Sequence, residues 1–166
     1  WKYKKFYLLD NKMLFLTHFD SFTYTENKRW REINGVITIY NSPIELSKCV
    51  KNDDYIYVIE MNNSTNKIEV IGKIKGQIRK DLKYKIYSEQ NYNRYTYRGN
   101  KRIERDCIDE DTLKRLEYRL FVGIESLKPK LRRGTHLKRG QGILKVPEDI
   151  NNDYLYYIKT IFNLQE

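Results

Sequence analysis

The sequence predicts one α+β domain over residues 1–166, in which helices flank a small twisted β-barrel or a strongly curved mixed sheet. Two observations lead to this fold class. The 166 residues, with 40% hydrophobic and 33% charged side chains, suit a single globular domain with its own core. Strand-like segments outnumber helical ones and cluster in the middle of the chain.

The strand predictions rest on β-branched or aromatic runs that end at turn residues. The strongest is a hairpin with strands over residues 55–61 and 67–74 around a polar turn. Ile68, Val70, Gly72 and Ile74 are predicted on one face of it, and Gly72 predicts a bulge or the close approach of another element. Further strands are predicted over residues 13–17, 36–40, 84–87, 92–98 and 142–146.

The first helix predictions rest on capping residues. Thr23 and Glu26 have the spacing of a capping box and predict a helix that ends at Gly35. Pro43 suits the first turn of a helix, so a second, short helix is predicted as far as Cys49.

Two more helices are predicted in the C-terminal half. Asp109 is a good N-cap, acidic residues fill the following turn, and Gly123 ends the element. Apolar residues with helical spacing support it, namely Leu113, Leu116 and Leu120. A final helix is predicted to begin at a cap formed by Asn152 or Asp153.

The charge of the chain restricts its partners. A formal net charge of +10 and a pI near 9.4 predict attraction to nucleic acid or to an anionic surface. No apolar run approaches the length of a membrane span, so no membrane association is expected. Cys49 and Cys107 have no metal-ligand spacing, which predicts a reduced, intracellular and cytoplasmic protein.

The sharpest local signal is a basic segment between Ser126 and Pro147, which contains seven basic residues and no acidic one. Glycines recur within it, so backbone N–H groups and guanidinium groups could approach a polyanion closely. The predicted phosphate-binding residues of this segment are Arg132, Arg133, His136, Lys138 and Arg139. The alternative is a solvated basic turn followed by an edge strand.

Residues 92–99 interleave tyrosine with arginine. Stacking rings beside cationic side chains suit single-stranded nucleic acid. This pattern predicts base-binding roles for Tyr92, Tyr95 and Tyr97 and phosphate-binding roles for Arg94 and Arg98. The alternative is an exposed strand face in which tyrosine serves β-propensity.

Three residues near the first helix complete the predicted base site. Trp30 could form one wall of an aromatic pocket or could anchor its helix in the core. Tyr24 could supply a further wall. Asp20 could accept hydrogen bonds from a base edge, or it could form a turn with its own backbone.

A non-enzymatic role is the favoured interpretation, and no cofactor or metal is expected. The histidines are His18 and His136, and the enzymatic alternative is general acid–base cleavage of RNA by His136 with His18 or Lys138, the transition state being stabilised by Lys138 or Arg139. The sequence contains no nucleotide-binding loop, nucleophile elbow or zinc-ligand spacing.

Two resemblances accompany these patterns. Residues 55–63 and 67–74 resemble the central strand pair of PUA-like domains, a superfamily that includes the YTH, EVE and ASCH families. The phrases HFDSF, IYVIEMNN, YNRYTYRG and HLKRGQGI resemble uncharacterised proteins of large DNA viruses. The PUA-like resemblance implies a twisted β-barrel with a pocket for one flipped or modified base beside a basic groove. In the YTH family that pocket is a cage for N6-methyladenine, and Trp30 best matches a cage tryptophan.

The function predicted from the sequence is therefore binding of nucleic acid, RNA in preference to DNA, through a base pocket and a basic groove. One alternative is a basic structural or interaction subunit of a viral complex or virion, with protein partners. The second alternative is a ribonuclease.

Overall fold

A computed structural model of the chain describes residues 13–123 and 137–165. The strands within these ranges are β1 (Leu14–Phe19), β2 (Thr38–Ser42), β3 (Tyr55–Asn62), β4 (Lys67–Lys75), β5 (Tyr95–Gly99), β6 (Lys101–Glu104) and β7 (Leu144–Lys145). The α-helices are α1 (Ser21–Asn34), α2 (Glu110–Glu117) and α3 (Glu148–Asn163). Short 3₁₀ helices cover Gln90–Asn93 and Arg105–Cys107, and a π-helical turn, Tyr118–Val122, extends α2.

A mixed sheet of order β6-β4-β3-β1-β7 forms the centre of the molecule. β1 and β3 run parallel, and the other neighbours in this sheet are antiparallel. β2 and β5 form a separate antiparallel ribbon. The α+β class and the mixed sheet with flanking helices are confirmed. The predicted barrel is wrong for the described residues, whose two sheets do not join into a closed ring.

Apolar clusters cover both faces of this sheet. On one face, α2 and α3 pack against Leu14, Leu16 and Tyr57. On the other face, the β2–β5 ribbon packs against Phe15 and Ile56. Because both faces are covered, β1 and β3 are buried almost throughout, which explains their nearly continuous apolar sequences.

The predicted hairpin is confirmed as β3 and β4, with an irregularity in its register between Glu60 and Met61. Ile68 pairs with Met61 and joins the cluster beneath α2 and α3, whereas Ile74 joins the cluster beneath the ribbon. The prediction that Ile68 and Ile74 share a face is therefore wrong. An extra residue at a bulge reverses the alternation of side chains along a strand.

α1 begins two positions before the residue predicted as its cap. Asp20 is the N-cap, because its carboxylate accepts hydrogen bonds from the backbone N–H (2.7 Å) and the hydroxyl of Thr23. The Thr23 hydroxyl in turn accepts from the backbone N–H of Asp20 at 3.1 Å. Gly35 ends the helix with a φ of 63°, a left-handed conformation that glycine adopts without strain, as predicted.

The two C-terminal helices differ in how well their starts were predicted. Asp109 caps α2 by accepting from the backbone N–H of Thr112 at 2.9 Å, and Gly123 follows its π-helical extension, as predicted. α3 begins at Glu148, directly after Pro147, so Asn152 and Asp153 lie inside the helix. Proline fixes φ and suits a helix start, and this signal outweighed the later asparagine and aspartate.

The predicted helix over residues 43–49 is wrong. The hydroxyl of Ser42 accepts from the backbone N–H of Ile44 at 3.2 Å. The hydroxyl of Tyr97 accepts from the backbone N–H of Leu46 at 2.9 Å. Because side chains satisfy these backbone groups, the segment forms turns instead.

The predicted strand over residues 84–87 is also wrong. The side-chain oxygen of Asn93 accepts from the backbone N–H groups of Ile86 (3.2 Å) and Tyr87 (3.0 Å), and its amide donates to the Tyr87 carbonyl at 2.7 Å. These bonds replace the pairing of a strand. The strand predicted over residues 92–98 begins only at Tyr95, after the 3₁₀ helix that carries Asn93.

The remaining predicted strands, over residues 13–17, 36–40 and 142–146, are found with shifted ends as β1, β2 and β7. Within residues 13–123 and 137–165, no helix has both the length and the apolar character that a bilayer span requires.

Candidate functional site

A cavity of about 270 Å³ lies where the parallel strands β1 and β3 end, and it is called the strand-end pocket below. Carboxyl ends of neighbouring parallel strands are a common place for ligand sites in α/β sheets. His18, Phe19 and Asp20 line it from the end of β1, and Asn63 lines it from the residue after β3. The backbone N–H of Asn63 donates to the carbonyl of Phe19 at 2.7 Å, which fixes the two strand ends to each other.

His18, which lines this pocket, carries a buried hydrogen-bond acceptor. Its Nε2 lies 2.5 Å from the carbonyl oxygen of Leu137, and a carbonyl can only accept, so the ring proton resides on Nε2. Burial lowers the pKa of His18 below its usual value of 6.5, which the bond to Leu137 only partly opposes. The neutral ring therefore leaves Nδ1 as an acceptor, and this buried atom has no partner among the described residues.

Asn63 supplies a second acceptor of the same kind. Its side-chain nitrogen donates to the backbone carbonyl of Lys138 at 2.8 Å, which fixes the orientation of the amide. Its oxygen, Oδ1, is buried and has no hydrogen-bond partner within the described part of the chain. Buried polar atoms in folded proteins are nearly always satisfied, and two of the five unsatisfied buried side-chain atoms among the described residues belong to residues that line this pocket.

The charge of the strand-end pocket points to the same kind of ligand. Asp20 contributes a carboxylate that also caps α1. No lysine or arginine is among the described residues that line the pocket, although the whole chain is strongly basic. The carboxylate, with no cation among the described lining residues, favours N–H or O–H donors over a phosphate in this pocket.

Aromatic rings form one side of the pocket. Tyr87 stands edge-on to Tyr92, with ring centroids 6.3 Å apart, and Phe19 lies 6.5 Å from Tyr87. Tyr92 is 38% exposed, so part of this residue is accessible to a ligand. Of these three residues, only Tyr92 was predicted from the sequence as base-binding.

The basic segment meets the pocket through two of its glycines. Gly140 and Gly142 line the pocket, and both have positive φ, at 139° and 78°. A Cβ atom would collide with Leu144 at Gly140 and with the hydroxyl of Ser42 at Gly142. Glycine is thus required at both positions for the backbone to pass this close to the pocket.

The structure describes only some of the predicted phosphate-binding residues of the basic segment. Lys138 and Arg139 directly precede Gly140, which puts their backbone at the edge of the pocket. Arg132, Arg133 and His136 lie outside the described residues. The predicted pairing of His18 with His136 is therefore untested, and the Nε2 atom of His18 is engaged by a carbonyl.

Two predicted base-binding residues lie away from the pocket. Trp30 is half-buried and packs edge-on against Tyr84, with centroids 5.8 Å apart, so the structure gives it the core-anchoring position that was the alternative. Tyr24 is half-buried and packs edge-on against Phe19 at 5.9 Å. Neither residue lines the strand-end pocket.

The prediction for Tyr97 is wrong. Its side chain is 1% exposed within the cluster beneath the ribbon, and its hydroxyl is bonded to the backbone of Leu46. No face of this ring can stack on a base. The alternation of tyrosine and arginine did not reveal this, because Thr96 and Tyr97 are both buried although they are consecutive residues of β5.

The rest of the tyrosine–arginine stretch divides between two other places. The Arg94 guanidinium lies 5.6 Å from the ring centroid of Tyr95, and both residues line a separate groove. Arg98 lies on β5 opposite Ile39 and lines a shallow depression with Lys75. The stretch is thus not one binding face, since it passes from a 3₁₀ helix into a strand.

A buried charged cluster, formed by Tyr40, Glu60 and Arg102, was missed in the sequence. Arg102 donates two hydrogen bonds to the Glu60 carboxylate, at 2.7 and 3.1 Å, and the Tyr40 hydroxyl donates a third at 2.7 Å. Burial and the Glu60 charge raise the pKa of Tyr40 well above its usual value. The available signal was a glutamate inside the otherwise apolar strand β3.

Gly72 makes that cluster possible. A Cβ atom on Gly72 would collide with the Tyr40 hydroxyl and would lie 2.9 Å from the methyl group of Thr38. The close approach predicted from this glycine is confirmed, and β2 is the element that approaches.

Nothing outside the chain itself identifies the site. The described residues contain no group of three histidine, cysteine, aspartate or glutamate side chains that could hold a metal ion. Comparisons with protein-family models, with curated proteins and with solved structures found no match.

Proposed function

We propose that this chain is a non-enzymatic nucleic-acid-binding domain that holds one base, RNA in preference to DNA, in the strand-end pocket. The observation that carries the proposal is the pair of buried, unsatisfied acceptors, Nδ1 of His18 and Oδ1 of Asn63. The amino and imino groups on the edges of adenine, cytosine and guanine are donors of the required kind.

The size and lining of the pocket support a ligand of this class. A volume of about 270 Å³ falls just below the range for drug-sized ligands and suits a base or nucleoside. The partly exposed Tyr92 is the proposed stacking partner, and stacking on an aromatic side chain contributes roughly 1–3 kcal/mol per base. A ribose 2′-hydroxyl would add one more donor near the acceptor-rich lining, which favours RNA.

The distribution of charge supports the same arrangement. The pocket carries the Asp20 carboxylate and no cation among its described lining residues, while Lys138 and Arg139 follow at its edge. We infer that the base enters the pocket and that the phosphates remain outside, next to these two residues. Base contacts would then supply selectivity and phosphate contacts would supply affinity.

The proposal also covers the family to which the chain is related and its location in the cell. A mixed sheet with flanking helices and a base pocket at its strand ends suits a distant PUA-like relationship, and a modified base is one ligand of that class. A viral origin is proposed only from the resemblance of the sequence phrases to proteins of large DNA viruses. An intracellular, cytoplasmic location is supported by two exposed cysteines, Cys49 and Cys107, which are free thiols.

The test is a titration of short, labelled single-stranded RNA and DNA of defined base composition, followed by fluorescence anisotropy at two salt concentrations. We expect base-selective, saturable binding that Tyr92→Ala weakens roughly 5- to 150-fold, the equivalent of one lost stacking contact. Tyr156→Ala is the matched control, because this ring is 63% exposed on α3.

Binding with no base preference that simply fades with salt, and that Tyr92→Ala and Tyr156→Ala change equally, would contradict the base pocket. That result would favour the basic structural or interaction subunit.

A further inference from the structure

A second concave surface lies beside the strand-end pocket, and it is called the lysine groove below. It encloses about 770 Å³ between the segment that follows β4 and the start of β5. Five cationic and two anionic side chains line it, which gives it a net charge of +3. The cationic residues are Arg79, Lys80, Lys83, Lys85 and Arg94.

One of the two acidic groups in the groove is already neutralised. The Asp81 carboxylate accepts two hydrogen bonds from the Arg79 guanidinium, at 3.1 and 2.9 Å, and one from the Tyr84 hydroxyl at 2.9 Å. These bonds hold the pKa of Asp81 far below its usual value, and hydrogen bonding from Arg79 makes the largest contribution. Asp81 therefore fixes the shape of the segment, and Glu45 is the one acidic lining residue that remains against the four other cations.

Those other cations are exposed. All four are accessible to solvent, and none forms an ion pair with a described residue. They are Lys80, Lys83, Lys85 and Arg94. Several like charges held close together repel one another, so a chain of anionic groups would be attracted to this surface.

The groove also contains an aromatic surface. The half-buried Tyr95 ring has the Arg94 guanidinium 5.6 Å from its centroid. Grooves that bind single-stranded nucleic acid combine a cationic track with aromatic rings of this kind. An acidic protein segment would use the charges but would gain less from the ring.

The lysine groove and the strand-end pocket share a wall. Asn41 lines the pocket, and its side chain donates to Asn93 at 2.9 Å and accepts from Thr96 at 2.6 Å. Asn93 and Thr96 line the groove. A strand with one base in the pocket can therefore place its neighbouring nucleotides in the groove.

We propose that the lysine groove binds the phosphodiester backbone of the same single strand whose base occupies the strand-end pocket. This inference rests on the proposed function and adds the path of the strand across the 3₁₀ helix Gln90–Asn93. If three lysines contact phosphates, the affinity for a single strand is expected to increase with the length of the strand.

The experiment compares a dinucleotide, titrated by NMR, with a labelled ten-nucleotide RNA, titrated by anisotropy over a range of salt. The variant is Lys80→Gln/Lys83→Gln/Lys85→Gln. The charge-matched control is Lys28→Gln/Lys114→Gln/Arg115→Gln, which removes three exposed cations from helices α1 and α2.

We expect the groove variant to bind the dinucleotide as the parent does and to bind the ten-nucleotide RNA at least tenfold more weakly. The slope of log K against log salt should fall by about 2, since each lost phosphate contact with a single strand contributes about 0.7. The control variant should change both values much less.

The outcomes separate the two proposals. Equal losses in the groove and control variants, with dinucleotide binding intact, would overturn the lysine groove and leave the pocket. Binding of the long RNA through the groove without dinucleotide binding would overturn the pocket and the path from pocket to groove, and would leave only phosphate binding in the groove. Displacement of the RNA by a poly-glutamate peptide of equal charge at equal concentration would overturn nucleic acid as the occupant of the groove.

Discussion

The buried charged cluster and the strand-end pocket both contain buried polar groups, but only in the cluster do those groups have hydrogen-bond partners. In the cluster, Glu60 is 1% exposed, and its carboxylate receives hydrogen bonds from Arg102 and Tyr40. In the pocket, the acceptors of His18 and Asn63 are buried without a partner among the described residues. Both regions use β3, and they lie only a few residues apart along it.

The difference separates stability from recognition. A buried charge with complete hydrogen bonding fixes one arrangement of β2, β3 and β6, and it offers nothing to a ligand. A buried acceptor without a partner costs free energy in the unbound protein, and a ligand that supplies the donor recovers it. The four predictions below test whether this contrast holds, from the largest expected effect to the smallest.

The largest effect is expected from Glu60→Ala. This variant leaves the buried Arg102 with only Glu104, a 63% exposed carboxylate 3.2 Å from its Nε, and breaking a buried ion pair costs about 3–5 kcal/mol. Urea unfolding measures the loss. Asp53→Asn is the control, because the Asp53 side chain is 98% exposed and its contact with Lys75 spans 3.8 Å; its expected cost is below about 1 kcal/mol. Equal effects of the two variants would show that the cluster does not stabilise the fold.

A smaller loss is expected from Gly72→Ala. The new methyl group collides with the Tyr40 hydroxyl, and overpacking of this kind costs roughly 1–3 kcal/mol. Combining it with Tyr40→Phe removes the colliding oxygen, so the double variant should lose less stability than the two single variants added together. Strict additivity in thermal or urea unfolding would mean that Gly72 has another role.

For Asn63→Ala we expect stability and binding to respond differently. The variant loses one hydrogen bond to the Lys138 carbonyl and removes an unsatisfied oxygen, so the two effects largely cancel and the free energy of unfolding changes by about 1 kcal/mol or less. Binding of short RNA should fall about tenfold, as expected for one lost hydrogen bond. Asn100→Ala, on the exposed turn between β5 and β6, is the control. A large stability loss with unchanged binding would make Asn63 a structural residue.

The smallest effect is a pH dependence that originates at His18. Its folded pKa lies below the usual value of 6.5, so the unfolded chain binds the proton more readily, and stability is lost as the pH falls through and below 6.5. Protonation also removes the Nδ1 acceptor, so affinity for RNA should decline in the same window, by no more than about tenfold per pH unit. Titration from pH 7.5 to 5 measures both, and His18→Gln should flatten the profile. A profile that is unchanged in this variant would assign the titration to another group.

Much of the fold could be predicted because its signals are local. The β3–β4 hairpin, the cap of α2 at Asp109 and the end of α1 at Gly35 depend on residues that are neighbours in sequence. The segments that failed depend on distant side chains. Residues 84–87 have strand-like composition, but Asn93 satisfies their backbone groups and keeps them out of a sheet.

The site was predicted less well, for the same reason. Asp20 and Tyr92 were selected by residue type and do line the pocket, as do two glycines of the basic segment. Asn63 had no distinguishing pattern, because its role depends on the distant carbonyl of Lys138. Tyr97 had the right residue type and the wrong environment. Residue type identifies what a side chain can do, and tertiary packing decides whether a ligand can reach it.

The two edge strands of the described sheet, β6 and β7, influence how readily copies of the chain aggregate. β6 has four residues and β7 has two, and both carry cations, among them Lys101 and Lys145. Long, flat, apolar edges are the surfaces through which sheets of separate molecules join into aggregates, and short edges with lysine resist it. The strongly apolar β3 lies inside the sheet between β1 and β4. The chain thus keeps its strongly apolar strand β3 away from the edges of the described sheet, where another copy could pair with it.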